Sequence, residues 1–78
     1  MNYNIYSIFD RVTGNYGDLC LFRNDEDAKR RVAYSMKENP YKEDLQLYCL
    51  GEYNVETGEL LPKAKPAFIC GVIECYGE

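Results

Sequence analysis

The sequence has no histidine and no tryptophan, and its four cysteines never form a CxxC pair. Each gap excludes something. Without histidine, the commonest general base and the commonest activator of a nucleophile are missing. Without paired cysteine knuckles, a four-thiolate zinc site has no ordinary scaffold. No apolar run approaches the roughly 18 residues that a membrane-spanning helix needs. The opening stretch MNYNIYSIFDR lacks a basic segment followed by an apolar one. No secretory signal is expected, and the protein should work in the cytoplasm, where thiols stay reduced. HExxH, a glycine-rich phosphate loop and a nucleophile elbow are also absent.

Basic residues are the minority charge. Nine Lys and Arg against 13 Asp and Glu give a net charge of −4. That balance argues against a protein whose main affinity comes from neutralising phosphates, while leaving room for a local basic patch. The carboxylates fall in runs such as Asp25, Glu26 and Asp27, or Glu43 and Asp44, which read as cap and loop residues. No enzymatic activity, cofactor or metal is expected. Cys20, Cys49, Cys70 and Cys75 read as small apolar side chains in reduced form, with metal binding as the alternative.

What is present is enough for one domain, residues 1–78. At this size a chain buries only roughly 60–65% of its unfolded surface, so its core is thin without a partner or cross-link. Residues 3–10, YNIYSIFD, are β-branched and aromatic and read as a strand. GDLCLFR, 17–23, reads as a second. Asn24 is a good helix N-cap, with Asp27 at the capping-box position and acidic residues on the positive end of the helix dipole. The helix is expected over about residues 25–38, stopping before Pro40. Ala28, Val32 and Met36 form its narrow apolar stripe. LQLYCLGEY, 45–53, is the third strand. Leu60 and Leu61 begin a return that Pro62 and Pro66 should interrupt, and AFICGVIEC, 67–75, is the last strand. The fold class is therefore α+β: a small, mostly antiparallel sheet of four or five strands in ββαββ order, with one helix across one face.

FDRVTGNY, 9–16, and YNVETGEL, 53–60, share a grammar: an aromatic, Asp or Asn, then Thr-Gly. A duplicated unit would extend the likeness beyond eight residues, and a cation loop would need more carboxylates. Both stretches lie between strands. The Asx side chain can start a turn and glycine can close it in the left-handed conformation, so two independent hairpins are expected.

Two surfaces could bind something. Arg23, Lys29, Arg30, Arg31, Tyr34 and Lys37 interleave cations with an aromatic, as suits single-stranded nucleic acid; an ordinary solvated helix face, with Lys29 and Arg30 paired to neighbouring carboxylates, is the favoured reading. The other surface is the sheet. Tyr3, Ile5, Ser7 and Phe9 share one face of the first strand and Tyr6 and Ile8 the other, while Leu45, Leu47 and Cys49 oppose Tyr48 and Leu50. Both faces are partly apolar, and one helix covers one face. A homodimer or partner interface on the uncovered side is expected, with Tyr6, Ile8, Tyr48 and Leu50 as its residues and the eight tyrosines as amphipathic contacts. Base stacking is the competing use.

IYSIFDRVTGNY, FRNDEDAKRR, LQLYCLGEYNVETGEL and PAFICGVIE, taken in this order and spacing, resemble the small nonstructural protein of gokushovirus-type Microviridae, relatives of the Chlamydia phages. The resemblance implies a phage protein made in the host bacterial cytoplasm and absent from the virion, of a kind assigned to single-stranded genome synthesis or packaging. It carries no catalytic residues. The partners to expect are single-stranded DNA, a phage or host replication protein, and a second copy of the chain, with no membrane. The alternative is an acidic interaction module that binds and inhibits a host protein by charge complementarity.

Overall fold

The two Thr-Gly stretches close two hairpins by the same bonds. In the computed structural model, which describes residues 2–76, strand β1 (Asn2–Asp10) turns into β2 (Asn15–Phe22) at the first stretch. The Asp10 carboxylate accepts from Val12 N at 2.8 Å and Thr13 N at 3.4 Å. Gly14, at φ +76°, sends its N–H back to the Asp10 carbonyl at 2.8 Å. Between β3 (Leu45–Asn54) and β4 (Leu60–Gly71), Asn54 accepts from Glu56 N at 2.9 Å and Thr57 N at 3.2 Å. Gly58, at φ +81°, closes on the Asn54 carbonyl at 2.8 Å. Asx side chains that mimic a backbone turn, and glycines that take positive φ at no steric cost, account for both.

The sheet is antiparallel throughout, in the order β2-β1-β3-β4. Helix α1 (Asp25–Met36) connects its two hairpins. Asn24 caps the helix as expected, accepting from Asp27 N at 2.8 Å. The helix ends two residues before the expected boundary, where Asn39 N bonds the Met36 carbonyl and Pro40 follows. Ala28 and Val32 are buried and Met36 packs against them. With Tyr6, Leu45, Leu47, Cys49, Cys70 and Val72 they make the core, all of it on one side of the sheet.

The C-terminal third differs from expectation. Instead of two strands broken by prolines, β4 is a single edge strand that contains both Pro62 and Pro66. Its register runs from Gly51↔Pro62 to Cys49↔Ala67, so residues 63–66 bulge opposite the lone residue Leu50. An edge strand can present its N–H side to solvent, and a missing donor there costs no ladder bond. The strand also stops at Gly71. Residues Val72–Tyr76 form a 3-10 turn that packs against α1, and this turn carries the buried Val72 into the core.

Candidate interaction surfaces

In an antiparallel pair, residues directly opposite one another project to the same face. The register places Tyr6 opposite Cys49 and Ile8 opposite Leu47, on the side that α1 covers. Tyr6 is 0% exposed and Ile8 packs against the core, so both belong beneath the helix and not on the open side where they were expected. The physical reason is a hydrogen bond. The Tyr6 hydroxyl donates to the Asp25 carboxylate at 2.6 Å and accepts from the Asn4 amide at 3.0 Å, which satisfies a polar group that would otherwise be costly to bury. Burial, and then the bond to Asp25, raise the hydroxyl's pKa well above the usual tyrosine range. The pair also ties the first turn of α1 to β1.

Among the described residues, no helix is packed on the other face. Tyr48 lies there, as expected. Leu50, also expected there, is the extra residue of a bulge between β1 and β3 and is half-buried. Reading across the strands, Phe9 stands beside Tyr16 and Gln46. Ser7 stands between Leu19 and Tyr48, with Phe68 beyond. Ile5 has Leu21 on one side and Gly51 with Pro62 on the other. Tyr3 has Tyr53 and Leu60. None of these residues is charged.

Four rings link all four strands within that face. Tyr16 of β2 and Phe9 of β1 have centroids 4.8 Å apart. Tyr48 of β3 lies 5.9 Å from Phe9 and 5.5 Å from Tyr16, and Phe68 of β4 lies 5.6 Å from Tyr48. The three contacts of Tyr48 are edge-to-face, at 70° to 78°, the arrangement that ring quadrupoles favour. The cluster is ordered yet wet: Phe68 is 55% exposed and Leu19 67%. Ser7 is buried among these larger neighbours, and its hydroxyl donates to the Gly17 carbonyl at 3.0 Å.

Phe9, Tyr16, Leu19, Leu21 and Phe68 were not among the expected interface residues. The signal for the first two was present in FDRVTGNY. A turn that joins Asp10 to Asn15 must set the residues just outside it, Phe9 and Tyr16, side by side.

The basic cluster lies across the molecule, on α1, with the sheet between it and the rings. Arg30, Tyr34 and Lys37 point away from the core. Tyr34 is 75% exposed, and the Lys37 ammonium sits 5.4 Å from its ring centroid. Asp27 reaches Arg30 at 3.5 Å and Arg31 at 3.6 Å. Lys29 is half-buried on the flank, and Arg23 is exposed just before the helix. The two candidate surfaces are thus separate.

Cys20 is exposed, while Cys49 and Cys70 are buried; the Cys75 side chain lies outside the described part. Among the described residues, no three His, Cys, Asp or Glu side chains gather as a metal site would require, and no helix is long and apolar enough to cross a membrane.

Compared with known proteins, the chain matches one family model, described as Phage ORF5 protein, over residues 3–75. No curated protein and no solved structure matches it.

Proposed function

The chain belongs to the Phage ORF5 protein family, and from that premise we propose a non-enzymatic protein of a gokushovirus-type phage, acting in the host cytoplasm in replication or packaging of a single-stranded DNA genome. It does so by contacting the DNA directly or by contacting a replication protein. The direct contact runs along the outer face of α1, where Arg30 and Lys37 meet phosphates and Tyr34 takes a base, with Arg23, Lys29 and Arg31 at the flanks. The observation that supports this reading is the exposed Tyr34 ring with a cation already beside it, on a helix face directed to solvent. The ion pairs of Asp27 with Arg30 and Arg31 are long, and both arginines are exposed although Asp27 is largely covered. Such pairs contribute little, so a phosphate can displace them.

Fluorescence anisotropy with a labelled single-stranded oligonucleotide tests the reading. Binding should weaken with salt at a log–log slope of about −2, as about three phosphate contacts on a single strand imply. Arg30→Glu/Lys37→Glu should abolish it, and Tyr34→Ala should cost about 1–3 kcal/mol. No binding at low salt overturns the direct contact and leaves the replication protein as the route.

A further inference from the structure

We propose that the uncharged face of the sheet is where two copies of this chain stack, sheet against sheet, about a two-fold axis. Three observations choose a second copy over other occupants. First, the rows from Tyr3–Tyr53–Leu60 to Phe9–Tyr16–Gln46 contain no Asp, Glu, Lys or Arg, although 22 of the 78 residues are charged, 13 acidic plus 9 basic. Two molecules that each carry −4 repel over most of their surfaces, and this face is where they meet without opposing like charges. A surface free of charge is self-complementary, as an isologous contact requires. Second, a nucleic acid fits it poorly. The rows offer no cation to a phosphate, the rings of the cluster are packed tilted or edge-to-face against each other, and Leu19, Leu21 and Leu60 are exposed aliphatics that stack no base. Third, the described residues span only 16 Å along the thinnest axis and make one sheet with a helix on one side. A second sheet packed about 10 Å away would turn the half-wet rings into a closed core.

The face is large enough for a specific contact. Four strands spaced about 4.8 Å apart, over some seven residues rising about 3.4 Å each, give a flat footprint of roughly 400 Å². Side-chain relief raises the accessible area toward the low end of specific interfaces, which bury about 600–800 Å² per partner. Area does not fix affinity, so the footprint supports a reversible dimer without setting its strength. The stack leaves both α1 helices on the outside, so it neither requires nor obstructs the DNA contact proposed above.

The experiment is sedimentation equilibrium of the full chain, without DNA, from low micromolar to millimolar loading. A reversible monomer–dimer equilibrium is expected. Leu19→Lys on β2 and Phe68→Lys on β4 should each weaken it at least about tenfold, because each places a charge inside the stack. Tyr34→Lys, on the outer helix face, should leave it unchanged. Near-ultraviolet circular dichroism of each monomer shows that the fold persists. A wild-type monomer at every concentration overturns the proposal. So does a dimer that Leu19→Lys weakens and Phe68→Lys does not, which would mark pairing along the β2 edge. In a companion anisotropy titration, oligonucleotide binding that Leu19→Lys and Phe68→Lys both abolish, with no dimer of the wild type, would assign the face to nucleic acid and overturn it equally.

Discussion

Tyr6 and Tyr48 stand on neighbouring strands, one register position apart, since Tyr6 faces Cys49 and Ser7 faces Tyr48. Tyr6 is sealed under α1, with its hydroxyl between Asp25 and Asn4. Tyr48 points the other way into a ring cluster, and its hydroxyl donates a long bond to Gln46 of the same strand, at 3.4 Å. The two sides of the sheet use similar residues for different ends. On the covered side, a large polar side chain is acceptable because the helix brings it an acceptor. On the open side, the rings bury part of one another and leave the remainder to water. Composition therefore does not distinguish the covered side of the sheet from the open one here; what the connecting helix covers does.

The sharpest way to break this comparison is a pair of identical truncations. Leu47, 1% exposed on the central strand β3, should lose about 3 kcal/mol on Leu47→Ala, through lost transfer energy and the cavity left behind. Leu19→Ala on the open side should change the stability of the monomer by no more than about 0.5 kcal/mol. Urea unfolding at low protein concentration measures both. Similar losses would mean that the open side is part of the monomer's core after all.

Next in size is the backbone at Gly51. A Cβ there would lie 2.6 Å from the Leu61 carbonyl oxygen and 2.8 Å from Pro62 Cα, at φ +157°. Backbone atoms cannot withdraw as a flexible side chain would. Gly51→Ala should cost about 2 kcal/mol and split the Gly51↔Pro62 pairing from the rest of β4. The early part of β4 should then lose hydrogen-exchange protection while residues 67–71 keep theirs. Uniform loss along the strand would show that the bulge is not a boundary. The comparison sharpens here, because this bulge resets the alternation between the two faces.

Much of this was legible from residue chemistry. The two hairpins, the Asn24 cap, the stripe of Ala28, Val32 and Met36, and the presence of an apolar side that one helix leaves bare all followed from local rules. The assignment of strand faces did not. Alternation separates Tyr6 from Phe9 within a strand, but which of them joins Leu47 depends on the register between β1 and β3, strands that are distant in sequence. Burial of Tyr6 depends on Asp25, whose local signal was helix capping alone. The prolines of β4 read as strand breakers because nothing local says that the strand is an edge. The Val72–Tyr76 turn was masked by the continuous β-like run AFICGVIEC.

The smallest effect isolates the hydroxyls. Tyr6→Phe removes a buried donor from Asp25 and an acceptor from Asn4, and should cost about 1–2 kcal/mol. Tyr48→Phe gives up one long bond at a half-exposed position and should cost less than about 0.5 kcal/mol. The pH dependence separates the first from a mere packing change. The folded state holds the Tyr6 proton to higher pH than the unfolded chain does, through burial first and the Asp25 bond second. Its contribution is therefore complete below the ordinary tyrosine pKa of about 10 and declines as pH rises beyond it. Urea midpoints taken from neutral pH upward should fall more steeply above about pH 10 in the wild type than in Tyr6→Phe. The two curves should converge as the advantage of the buried hydroxyl disappears. Parallel curves would mean that Tyr6 serves the fold only as a ring, and that the helix is held over this side of the sheet by its apolar stripe without the Tyr6–Asp25 tie.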